Sequence, residues 1–160
     1  MSSEIKIERS YRATPEEVWE LMTTKEGIEA WWGPDGFRVE VTAIELREGG
    51  YLDWAMIADA PEMVNMMRQS GMKTRTEHRN VFTEVIPGTA LAWTSLADFI
   101  PGVRPYPINA RLELRAAGPE VKVTVTVSRM HDQMWSDRQR MGWEMQLLKL
   151  GTLIAKRSKS

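Results

Sequence analysis

The 160-residue chain contains no cysteine. That absence excludes disulfide staples, thiolate zinc sites, iron–sulfur clusters and cysteine nucleophiles. Histidine is scarce, with only His78 and His131. No HExxH or comparable spacing joins them to further ligands, so neither a metal nor a cofactor is expected. Neither sign of charge is in excess: 21 Lys and Arg face 22 Asp and Glu, for a net charge of −1. A nucleic-acid binder would show a basic excess or stripe, whereas the one basic cluster here is the tail, Lys156, Arg157 and Lys159. No apolar run approaches the length of a membrane span, and no charged head precedes a greasy stretch at the N-terminus. A cytoplasmic, single-domain protein over residues 1–160 is the expectation. Nucleophile elbow, phosphate loop and dinucleotide fingerprint are all missing, so no catalytic residue is assigned.

Against these absences stand seven Trp and eleven Met. Trp is bulky and needs a partner for its N–H, whereas Met fills irregular gaps. Together they suit a large plastic core or a cavity that accepts an apolar guest.

The pattern along the chain is α+β. Ile5 and Ile7 alternate with Lys6 and Glu8, which is strand periodicity. Thr14-Pro15-Glu16-Glu17 is a helix start, with cap, first-turn proline and capping-box acid in order. A second short helix is predicted over about 24–32, ended by Gly33-Pro34. Alternation returns at Phe37, Val39 and Val41, and again at Leu52, Trp54 and Met56 after Gly49-Gly50. Strands over 80–86 and 90–96 flank Pro87-Gly88. Ile108, Ala110, Leu112 and Leu114, then Val121, Val123, Val125 and Val127, give the last two strands. A long helix over about 132–155 carries one stripe of Met134, Met141, Met145 and Leu148 and another of Trp143, Leu147, Leu150 and Ile154. About seven antiparallel strands must then curve around the terminal helix, with two short helices after the first strand and a cavity between helix and sheet. The Met-rich stretch 58–75 interrupts the rhythm; a short helix over Pro61–Gln69 is predicted, as a lid.

The segments Arg12–Trp19, Trp31–Pro34, Glu45–Gly50, Thr83–Gly88 and Gly142–Leu150, in that order and spacing, resemble the activator-of-heat-shock-protein-90-ATPase-like family. That family sits within the START-like, birch-pollen-allergen-like superfamily. The resemblance covers nearly the whole chain and implies a helix-grip fold with an apolar cavity. It also implies that 58–75 and Asp98–Gly102 flank the pocket. The separate N-terminal domain that carries much of the eukaryotic co-chaperone's chaperone engagement is not expected within these 160 residues.

The candidate ligand-binding residues are Trp31, Trp54, Met56, Met67, His78, Phe82, Trp93, Phe99, Tyr106, Trp143 and Leu147. If His78, Asn80 and Phe82 share the inner face, His78 is a polar handle in an apolar pocket. Asp53 and Glu84 are read as solvated carboxylates, and Asp132 as the cap of the long helix. Three functions compete. The first is binding of a small apolar or aromatic molecule or a lipid, driven by burial at about 25 cal/mol per Å². The second is a protein-interaction module, a chaperone or stress-response accessory, with the second helix stripe covered by a protein partner or by a second copy; monomer and homodimer are both open. The third is a cyclase- or hydrolase-like enzyme using the same cavity.

Overall fold

The computed structural model describes residues 4–33, 36–98, 100 and 102–158. Pro34, Phe99, Pro101 and Lys159 lie outside the described residues. The order is β1 (Glu4–Tyr11), α1 (Pro15–Thr23), α2 (Lys25–Trp31), β2 (Phe37–Glu45), β3 (Tyr51–Ala58), α3 (Pro61–Gln69), β4 (Arg75–Ile86), β5 (Ala90–Ala97), β6 (Tyr106–Ala117), β7 (Glu120–Ser128) and α4 (Gln133–Ser158). The strands form one antiparallel sheet in the order β1-β7-β6-β5-β4-β3-β2. This is the helix-grip fold.

The helix starts follow from capping chemistry. Thr14 accepts from the Glu17 N–H at 3.1 Å, and Thr24 accepts from the Gly27 N–H at 3.0 Å. Each side chain satisfies a donor that the first turn leaves without an intrahelical partner. Asp132 caps α4 through the Trp135 N–H at 2.8 Å.

The inner face of the sheet carries the alternating apolar residues. Ile5, Ile7, Ile108, Leu112, Val123, Val125 and Val127 are all buried there. The outer face is wet and holds the carboxylates expected on it: Asp53 pairs with Arg79, and Glu84 with Arg111. The inner stripe of α4, Trp143, Leu147, Leu150 and Ile154, closes the core. Its other stripe does not: Met134, Met141 and Leu148 are exposed, Leu148 at 73%.

Two contacts fix α4 on the sheet. The Tyr11 hydroxyl donates to the Leu147 carbonyl at 2.7 Å. Gly151 makes that approach feasible, since a Cβ there would lie 3.0 Å from the Tyr11 ring. Where α2 ends, Gly33 turns the chain at a φ of 97°, a conformation suited to glycine. Its N–H donates to the buried Gln146 side chain at 2.9 Å, and its carbonyl accepts from Lys149 at 2.9 Å. α4 therefore clamps the residue that directly follows Trp32.

Candidate functional site

That clamp decides what occupies the space beneath α4. Trp32 lies at the centre of an aromatic cluster, with ring centroids 5.2 Å from Trp31, 6.1 Å from Trp54, 5.7 Å from Trp93 and 5.1 Å from Trp143. Three of these contacts are edge-to-face, the geometry that the ring quadrupole favours. The void left among Met22, Ile28, Trp32, Asn80, Phe82 and Trp93 is about 10 Å³. That is about the room one water needs. The roomy chamber expected between the terminal helix and the sheet is thus filled. The filling residue is Trp32, which turns inward from the end of α2 that Gln146 and Lys149 of α4 clamp.

The open space is elsewhere. A cleft of about 560 Å³ is lined by Thr42, Asp53, Trp54, Ala55, Glu77, His78, Arg79, Leu96 and Asp98. It marks the place where the β4–β5 ladder stops. Val81 pairs with Thr94, and beyond that pair no residue of Arg75–Asn80 pairs with Ser95–Ala97 among the described residues. The Phe82 N–H and carbonyl both bond the Gly49-Gly50 turn. Since backbone direction alternates along a strand, the N–H and carbonyl groups of Arg79 and Glu77 point the other way, into the split. β4 also begins at Arg75, several residues before the start at residue 80 read from the sequence, because this extension pairs with β3 alone.

The cleft reaches through the sheet to an aromatic wall. Trp54 and His78 are cross-strand partners, and their rings stack at 4.6 Å and 30°. The Trp54 indole donates to Asn80 Oδ1 at 3.1 Å, and Asn80 is fully buried. His78 Nε2 lies 2.8 Å from the Thr76 hydroxyl. Burial lowers the His78 pKa, opposed by the nearby Asp98 carboxylate, which raises it. Asp53 is held ionised by its paired hydrogen bonds to Arg79, which outweigh its partial burial.

The candidate residues therefore divide. Trp54 and His78 line the cleft. Phe82 and Trp93 line the small void, and Trp143 touches Trp32 and Trp93. Trp31 is fully buried, with its indole donating to the Leu21 carbonyl at 2.8 Å, and Leu147 is sealed in the core. Met56 is half-buried on the inner face beside Val39, and Met67 is the buried residue of α3. Tyr106 is apart from both spaces, its hydroxyl 2.9 Å from His131 Nδ1. Phe99 lies outside the described residues. No residue of α3 is among those lining the cleft. Thr42, Glu77, Arg79 and Leu96 are not legible as ligand contacts from sequence, because a ladder's end leaves no signature in alternation; Asp98 opens the Asp98–Gly102 segment that the family resemblance implies flanks the pocket. Among the described residues, no three His, Asp or Glu side chains gather as a metal site requires.

The comparisons bear on the fold. A family model described as Activator of Hsp90 ATPase homolog 1-like protein matches residues 12–155. No curated protein matches the chain. Among solved structures it is similar to a protein from Chromobacterium violaceum, 19% identical with a TM-score of 0.79, over 96% of this chain and 98% of that one. It is similar to a Nitrosomonas europaea protein at 20% identity and a TM-score of 0.74, over 98% and 97% of the two chains. An AHSA1 protein from Silicibacter pomeroyi is 19% identical with a TM-score of 0.74, over 96% of this chain and 99% of its own. At such identities the likeness speaks for the fold alone.

Proposed function

The chain belongs to the Activator of Hsp90 ATPase homolog 1-like family, and we propose that it binds a small, mostly apolar or aromatic molecule in the cleft between β4 and β5. The observation that carries this is an opening of about 560 Å³ whose inner wall is the stacked Trp54–His78 pair. That volume lies within the roughly 300–1,000 Å³ of ordinary ligand pockets. A planar guest gains apolar burial against the Trp54–His78 rings and Leu96. The backbone groups of Glu77 and Arg79, which have no β5 ladder partner among the described residues, supply hydrogen bonds that set its orientation.

The test uses the protein's own fluorescence, since Trp54 touches both the cleft and Trp32. Flavonoids, aromatic metabolites and fatty acids are titrated against the intact chain. Saturable quenching at micromolar ligand, weakened in Leu96→Phe, is the expected result. Silence across the whole panel overturns the reading.

A second reading rests on a different face. Met134, Met141 and Leu148 recur at heptad spacing along α4 and are 52%, 57% and 73% exposed. Met suits adaptable surfaces, so this stripe favours a protein-interaction module. Concentration-dependent sedimentation, alone and with a candidate partner, separates it from the first reading.

A further inference from the structure

We infer that the guest of the cleft is a planar aromatic cation, held between the Trp54–His78 wall and the Asp98 carboxylate. This rests on the reading of the cleft as the binding site and names the chemical class it takes.

The charges lining the cleft are unequal: Asp53, Glu77 and Asp98 against Arg79 alone. The single guanidinium is already engaged. Arg79 bonds both oxygens of Asp53, at 2.6 and 2.8 Å, and lies 4.2 Å above the Tyr51 ring. Those contacts neutralise Asp53 and leave no donor fork for an anionic guest. Among the described residues Glu77 is met only by Arg75, at 3.6 Å, with its side chain 78% exposed. An exposed pair of that kind is largely screened by solvent. Asp98 has no hydrogen bond or ion pair among the described residues. It acts electrostatically on His78, whose burial favours the neutral imidazole. The charge left uncompensated at the cleft is therefore negative.

The aromatic wall has the matching character. The Trp54 N–H is committed to Asn80 and one face of its ring is stacked on His78, so what this pair can offer a guest is π surface and not the indole's donor edge. A ring face attracts cations, and Trp attracts them best of the aromatic residues. A fatty acid or aromatic carboxylate would place its charge beside Asp98 and Glu77 and forgo this attraction. An aromatic cation of quinolinium type satisfies both surfaces at once.

Three soluble probes of nearly one shape separate the possibilities: 1-methylquinolinium (cation), quinoline (neutral above its own pKa) and quinoline-2-carboxylate (anion). Each is titrated calorimetrically into the intact chain at pH 7.5 and low salt. The expected order is cation, then neutral, then anion, with the cation about tenfold tighter than quinoline, as one charge-assisted contact implies. Raising the ionic strength should narrow the gap. Asp98→Asn should weaken methylquinolinium binding about tenfold and bring it towards quinoline, with the thermal unfolding midpoint checked to show that the fold persists. If quinoline or its carboxylate binds as tightly as the cation, the charge inference is overturned while the cleft remains a binding site. If none of the three binds, the cleft reading falls and takes the inference with it.

Discussion

The aromatic interior and the β4–β5 cleft are a few ångströms apart and share Trp54, yet they solved the same problem in opposite ways. Beneath α4, four Trp side chains gather around Trp32 and leave about 10 Å³. On the other side of the Trp54–His78 stack, the ladder ends and leaves about 560 Å³. Close packing is what a core needs, and interiors reach crystal-like density. An unpaired strand edge does the reverse, keeping polar backbone groups and space available together. The lesson is that the cluster around Trp32 marks the filled region, and open space lies where the hydrogen-bond register runs out.

The strongest way to break this contrast is to empty the filled side. Trp32→Ala removes the hub of the cluster, and a buried Trp→Ala change costs about 3–5 kcal/mol. Urea unfolding should show that loss, and the variant should gain room for small aromatics under α4. A cost below about 1 kcal/mol would mean that the neighbouring rings collapse freely, and the interior would then be plastic.

Next comes the wall that both regions share. Asn80→Ala leaves the Trp54 indole N–H without its acceptor. Stranding a buried donor costs about 1–3 kcal/mol. The same change should loosen the Trp54–His78 stack, seen as a shifted Trp emission and weaker cleft binding. Lost stability with unaltered cleft binding would show the two regions to be independent.

Much of the frame is legible from sequence, and the reasons are local. Thr14 and Thr24 announce their helices because capping is a short-range hydrogen bond. His78, Asn80 and Phe82 fall on one face because strand alternation has no freedom to place them otherwise. The position of the open space is not legible, for two reasons. Trp31 and Trp32 are adjacent, and only the Gly33 clamp by Gln146 and Lys149, more than a hundred residues on, decides which of them fills the chamber. The cleft depends on where β4 and β5 cease to pair, a property of two strands jointly. Asp98 stands just past the end of β5; the resemblance sets its segment beside the pocket, but its approach to His78 in particular depends on the fold.

A change of pH probes the wall more gently. Burial gives His78 a folded pKa below its ordinary value of 6.5. The folded state thus favours the neutral ring, and the unfolded chain takes up the proton first. Stability from this group is present above about pH 6.5 and declines as the pH falls through the depressed folded value. Unfolding midpoints from pH 7.5 down to 5 should fall more in the wild type than in His78→Phe. Parallel profiles would mean that His78 is solvated in solution and that the wall is open.

The smallest effect is expected on the stripe that faces neither region. Leu148 is 73% exposed on α4, so Leu148→Glu removes little buried surface and should move stability by no more than about 0.5 kcal/mol. The change has a second use, because Met134 and Met141 lie on the same stripe. If the stripe is idle, sedimentation and unfolding are both unaltered. If it is covered by a second copy in solution, the variant sediments as a smaller species and its stability ceases to depend on concentration. That outcome would move the centre of function from the split in the sheet to the outer face of the helix that grips it.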